Sequence, residues 1–195
     1  MIDYIKGSIV SLTPTEVVVE TGNIGYIAMI SLQTYSELER KSEGKVFIHH
    51  ILREDEELFY GFASIEERDI FRMLISVSGV GAATARMMLS SLTCDEIRNA
   101  ILSEDVRKIQ SVKGIGLKSA QRVIIELKDK VSKNGVGADS SAIFARQSTV
   151  GDEAATALQM LGFTKTAVSK AVASVLKTDP TAPVESVIKQ ALKIL

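Results

Sequence analysis

The chain has 195 residues, 46% of them hydrophobic and 24% charged, with a formal net charge of −1. This suits one to three small folded domains and argues against a protein that coats DNA by bulk positive charge. No signal peptide or apolar run of membrane-spanning length is apparent, and Cys94 is a lone cysteine, so a reducing, cytoplasmic setting is expected, with Cys94 packing a helix.

Residues 1–63 read as five short strands. Alternation around Ile5 and Ile9 gives the first, and Thr13-Pro14 marks a turn. Valine-rich 16–21 is the second, Gly22-Asn23 another turn, and apolar 25–30 the third. Residues 45–52 and 58–62 complete the set. Five strands in so short a span predict a small OB-like β-barrel. The segment 31–39 is a short helix or an irregular connection.

From Ser64 the apolar period becomes helical. Ser64-Ile65-Glu66-Glu67 predicts a capping box, and Thr93 with Glu96 another. Residues 64–133 form an all-helical block. Residues 134–148 are rich in small and polar residues and read as a flexible linker with a reach of about 20 Å. Residues 149–195 predict three short helices. The first ends at Gly162, Thr164 caps the second, Asp179-Pro180 ends it, and Pro183 opens the third. The third carries an apolar stripe from Val184 to Leu195. Three helices of this size make a marginal core, better suited to docking than to catalysis.

Two segments of the helical block share one pattern, thirty-five residues apart. Leu74, Val77, Gly79-Val80-Gly81 and Ala85 in the first match Ile109, Val112, Gly114-Ile115-Gly116 and Ala120 in the second. This is a helix-hairpin-helix signature. Glycines free the backbone, the apolar residue between them pins the turn, and the alanine lets the two helices approach. The first amides of the following helix lack acceptors and lie at the positive end of its dipole, so a phosphate oxygen fits there. Such contacts fix position without reading sequence. Lys118 and Arg122, four apart on the helix after the second turn, can both face phosphate, with Ser119 between them.

Charge is uneven. Residues 104–133 hold eight Lys/Arg against four acids, whereas 53–69 hold seven acids against two Arg. DNA held at the second hairpin and refused at the acidic strip would explain this; two ordinary solvated surfaces remain the alternative. No Gly-x-x-x-x-Gly-Lys-Ser/Thr motif and no Gly-x-Gly-x-x-Gly after a strand occur, so no ATP or dinucleotide site is recognised. His49 and His50 adjoin in a strand and point oppositely, which does not suit a metal pair. No catalytic set and no cofactor are expected.

Barrel, paired hairpins, linker and three-helix unit in this order resemble the RuvA family of Holliday-junction-binding subunits. The resemblance covers essentially the whole chain. It is carried by Ser78-Gly79-Val80-Gly81, Lys113-Gly114-Ile115-Gly116, the run from Arg53 to Phe62, the segment from Gly22 to Tyr26, and the segment from Ala157 to Phe163. It implies a homotetramer, one or two per four-way junction, with the DNA arms on one face. It also implies that a partner ATPase ring, RuvB, docks on the C-terminal module, and that the resolvase RuvC shares the junction. By this resemblance Glu54 and Asp55 form an acidic pin near the tetramer centre that repels phosphates and guides strands apart, with Arg53 holding a phosphate beside it. Leu158, Leu161 and Phe163 are candidates for motor docking, or else core. Relatives often carry Pro-Lys where this chain has Ala82-Ala83, and a lysine where it has Leu117, so side-chain help at these turns is reduced.

Two readings from other classes compete. A glycosylase or nuclease docking through its hairpins would need a catalytic cluster nearby, for which Asp95, Glu96, Glu104 and Asp105 are the nearest acids. A protein scaffold would use the hairpins only structurally.

Overall fold

The computed structural model describes residues 1–133 and 150–195; the expected linker, 134–148, lies outside them. The chain divides into two compact units between residues 137 and 138.

In the first unit five strands, β1 (Tyr4–Leu12), β2 (Glu16–Thr21), β3 (Ile24–Ile30), β4 (Glu43–Leu52) and β5 (Glu57–Phe62), close a barrel in the order β1-β2-β3-β5-β4. All pairs are antiparallel except β3–β5, where Met29 faces Tyr60 and Ile30 faces Gly61. Gly61 is needed there: a Cβ would lie 2.8 Å from Val46 and 3.1 Å from Ala28. Gly22 and Asn23 both have positive φ, as a two-residue hairpin turn requires. Inward residues Ile5, Val17, Val19, Ala28, Ile30, Val46 and Ile48 fill the barrel. The segment 31–39 is a helix, α1 (Leu32–Leu38), and its Leu38 is buried in the same core.

The outer face of β5 is apolar as well. Phe71 of α2 (Ile65–Ile75) stacks on Tyr60, Phe62 and His49 at 5.1, 4.9 and 5.4 Å between ring centroids. The outer face of β5 therefore joins the core of the helical block, α3 (Ala82–Ser91), α4 (Cys94–Leu102), α5 (Val106–Gln110) and α6 (Leu117–Lys133), a cluster distinct from the one inside the barrel. Polar ties reinforce this seam. Gln33 donates to the carbonyl of Leu89, Arg86 to that of Thr15, and Arg68 to the Asp3 carboxylate at 2.6 Å.

Ser64 caps α2 through the Glu67 amide, but the box expected there is only half formed. The Glu67 side chain turns away into the seam and accepts from Ser31 Oγ and, at 2.6 Å, from Thr34 Oγ1. Burial pushes its carboxyl above the usual range, and these hydrogen bonds oppose the shift. Two buried hydroxyls outcompete the single Ser64 amide for this buried carboxylate. Thr93 and Glu96, by contrast, form the full reciprocal box at α4.

The second unit packs α7 (Val150–Met160), α8 (Lys165–Thr178) and α9 (Val184–Ala191) around Ala154, Leu158, Val168, Val175 and Val187. Gly162, at φ +99°, ends the first helix. Thr164 sits at the N-cap of α8 but its side chain makes no capping bond, and Pro183 is at the N-cap of α9, just before its first turn.

Candidate nucleic-acid interface

The two glycine turns are built alike. In the first, α2 ends at Ile75, Val77 donates to the Leu74 carbonyl, Val80 to that of Val77 at 3.0 Å, and Ala85 to that of Gly81 at 2.9 Å. In the second, Val112 donates to Ile109, Ile115 to Val112 at 3.1 Å, and Ala120 to Gly116 at 3.0 Å. Gly79 and Gly114 have φ of +91° and +92°, where L side chains are strained. Val80 and Ile115 are buried, which pins each turn, and Ala85 and Ala120 are fully buried where the helices meet.

Gly81 and Gly116 are different. Neither has positive φ, and a Cβ on either would meet nothing within 4 Å. Neither backbone conformation nor internal packing calls for glycine at these two positions. What the missing side chains leave is bare backbone at the start of α3 and α6, open to an outside group. No side chain caps Gly81.

Lys113 and Lys118 are exposed and Ser119 is half-buried beside the second turn. Arg122 pairs with Glu126 at 3.5 Å and reaches Ser78 Oγ of the first turn at 3.3 Å. Lys130 donates to Ser76 Oγ at 3.1 Å. Cations of α6 thus sit against both turns. The charge excess in 104–133 is partly spent internally, since Lys108 pairs with Glu96 and Lys128 with Glu104. Lys113 adjoins Gly114 in the motif, and that adjacency alone marks it as a cation of the turn. The links of Arg122 and Lys130 to the first turn carry no sequence signal.

Arg53 to Glu56 form the tip of the β4–β5 hairpin, closed by the Arg53 amide on the Glu56 carbonyl at 2.8 Å. Glu54 and Asp55 are exposed there, and Arg53 leans on Glu56 at 3.4 Å. The rest of the acidic stretch is not a free strip: Glu67 is buried, Glu66 pairs with Arg98, and the Glu57 carboxylate lies 2.9 Å from the His50 ring.

The four acids that a catalytic reading would need are engaged in structure. Glu96 completes the capping box, Asp105 caps α5, Glu104 pairs with Lys128, and Asp95 lies 3.6 Å from Arg98. Cys94 is half-buried, and burial with Glu67 and Glu66 nearby pushes its thiol up to about 12, away from the thiolate that nucleophilic chemistry uses. In the C-terminal unit Leu158 is fully buried and cannot present itself to a partner, which corrects its assignment to docking. Leu161 is 62% exposed, Met160 beside it 85%, and Phe163 is half-buried against the core.

These features define a tandem helix-hairpin-helix protein mounted on a closed β-barrel. Profiles described as RuvA N terminal domain, SAM-like helix-hairpin-helix tandem, and RuvA C-terminal domain match residues 1–61, 71–129 and 149–195. The chain is 50% identical over 195 residues to a protein of Christiangramia forsetii, 49% over 195 to one of Flavobacterium psychrophilum, and 47% over 201 to one of Bacteroides fragilis. Each alignment covers 100% of both chains, and each relative is named Holliday junction branch migration complex subunit RuvA. The chain belongs to the RuvA family.

Proposed function

We propose that this protein is a non-catalytic subunit that binds four-way DNA junctions by structure and serves branch migration. The observation that carries the reading is the pair of glycines, Gly81 and Gly116, that nothing inside the protein requires. Each bares the amides of a helix start to a phosphate oxygen. The two turns, with Arg122 and Lys130 lying against the first and Lys113 and Lys118 beside the second, grip the backbone of one arm. Backbone-only contact explains how junctions of any sequence can be held.

Four copies around the crossover would bring the Glu54 and Asp55 tips together, where like charge repels phosphate and keeps strands apart. Arg53, tied to Glu56, then acts chiefly as a counter-charge within the tip. Leu161, with Met160, is the exposed apolar surface offered to the partner motor RuvB, which supplies the ATPase; Phe163 supports it from the core side. The resolvase RuvC shares the junction. The fit of all three family profiles supports this scheme.

The test is a salt-titrated binding assay comparing a four-way junction with a linear duplex of matched arms. Strong junction preference that survives a change of arm sequence supports structure-selective binding. Equal binding leaves a general hairpin DNA binder, and no binding at low salt points to a scaffold.

A further inference from the structure

A feature of the barrel stands apart from the hairpins. Where β1 and β4 run side by side, Tyr4 faces Phe47, Lys6 faces Lys45, and Ser8 faces Glu43. Ile5 and Val46, which alternate with these rows, are buried in the barrel, so the rows lie on its outer surface. Tyr4 is 49% exposed, Lys6 and Lys45 are exposed, and Phe47 is half-buried.

Two like charges directly opposed on neighbouring strands destabilise a sheet. Among the described residues no carboxylate lies within ion-pair distance of either lysine. Lys45 instead lies over aromatic rings, its Nζ 3.9 Å from the centroid of Tyr4 and 4.8 Å from that of Phe47. Arg68 lies over Phe47 at 5.5 Å, but its guanidinium is committed to Asp3. The acid of the third row, Glu43, stands opposite Ser8 and next to the lysine row. The strip thus offers a half-exposed aromatic ring, with the Lys45 ammonium over one of its faces, beside a second cation, and neither lysine forms an ion pair among the described residues.

We propose that this strip binds single-stranded nucleic acid, with a base stacked on Tyr4 and the adjoining phosphate held between Lys6 and Lys45. Aromatic platforms flanked by cations take up unpaired strands without regard to sequence, because every base has a face to stack. A duplex keeps its base faces inside and cannot use Tyr4 in this way. An anion seated between the lysines would relieve their mutual repulsion, and among the described residues no carboxylate is paired with either of them. The site goes beyond junction binding at the hairpins and uses none of their residues.

The experiment uses the full-length protein and a short fluorescent oligothymidylate, with the four-way junction as a parallel ligand. Tyr4→Ala should weaken oligothymidylate binding by roughly tenfold. Lys6→Ala with Lys45→Ala should reduce the slope of log affinity against log salt by about 0.7, the value for one phosphate of a single strand. Both variants should keep wild-type junction affinity and particle size, and Lys118→Ala should show the opposite pattern. In wild type, irradiating an oligonucleotide that carries iododeoxyuridine should crosslink it to Tyr4 or Phe47, a readout that needs no variant. The proposal is overturned if wild type fails to bind oligothymidylate at low salt, or if the strip variants bind it normally. Crosslinks confined to residues 76–81 and 111–116 would also overturn it. So would a change in particle size on substitution, which would make the strip a contact between copies of the chain.

Discussion

Replacing Gly81 with serine separates what the protein needs from what a ligand needs. Gly81 has φ −83° and ψ 167°, and Ser31, which caps α1, has φ −82° and ψ 167°. Ser31 Oγ accepts from the Thr34 amide at 3.0 Å. Serine at 81 would enter the same conformation without strain, and its Oγ would accept from the amide of Thr84, three residues on. Its Cβ would touch nothing within 4 Å. Serine leads glycine at an N-cap by only a few tenths of a kcal/mol, so Gly81→Ser should unfold at the same denaturant concentration or slightly higher, a gain of ~0.3 kcal/mol. Binding should move the other way. The new side chain takes an amide meant for phosphate and fills the space where the phosphate would sit. A hydrogen bond to a charged group contributes about 1.5–3 kcal/mol, so each turn should lose roughly 10- to 150-fold in affinity. Denaturant unfolding and fluorescence anisotropy on a labelled four-way junction read the two effects separately. Wild-type junction affinity in a variant of unimpaired stability would refute the claim that this turn faces phosphate. Gly79→Ser is a poorer probe, because φ of +91° adds about 1–2 kcal/mol of backbone strain and confounds folding with binding.

Lys118→Ala should flatten the salt dependence of junction binding by about 0.9, the value for one phosphate of a duplex; an unchanged slope removes Lys118 from the interface. Glu54→Gln with Asp55→Asn should relax the preference for four-way over linear DNA, and unaltered preference in a competition assay would contradict the repelling tip. Leu161→Ala, at an exposed position, should change stability by less than about 0.5 kcal/mol yet reduce stimulation of the motor's ATPase. Leu158→Ala should cost about 2–5 kcal/mol and unfold the small C-terminal unit, seen as a fall in helical circular dichroism. Because burial holds the Glu67 carboxyl above its ordinary 4.5, its contribution to stability is full below that pH and is lost as pH rises through the raised value. Glu67→Gln should therefore remove a fall in stability that wild type shows over that window, and parallel curves for the two proteins would dispose of the idea.

The paired turns were legible because their chemistry is local. Positive φ at Gly79 and Gly114, the buried Val80 and Ile115, and the small Ala85 and Ala120 all lie within a dozen residues of one another in each copy. The barrel was legible from alternation and turn residues, and its strand limits moved by only a residue or two. What escaped joins distant positions. Glu67 has the spacing of a capping-box partner, but Ser31 and Thr34, more than thirty residues earlier, claim its side chain. Arg122 looked like a phosphate ligand of its own turn, and only the packing of α6 brings it to Ser78, forty-four residues away. Leu158 and Leu161 are both leucines near a helix end; the first lies inside the helix on its core face, whereas the second lies past the last helical residue, Met160, in the turn and in solvent.

The order of parts along 53–81 has a consequence for tolerance to length change. The acidic tip, β5, α2 and the first glycine turn follow one another with only Ala63 and Ser64 between the strand and the helix. The tip and the turn are opposite ends of one strut, about 20 Å of strand and about 16 Å of helix along the path, welded at its elbow by Phe62, Phe71 and the Glu67 cluster. Its dimensions are written as a residue count. Side-chain substitutions along the strut can be absorbed by repacking, but one added or deleted residue turns everything beyond it, by half a turn in the strand or about 100° in the helix. Such an indel would leave tip and turn each intact and aim them at different phosphates. The strut is a gauge, and its calibration admits replacement more readily than insertion.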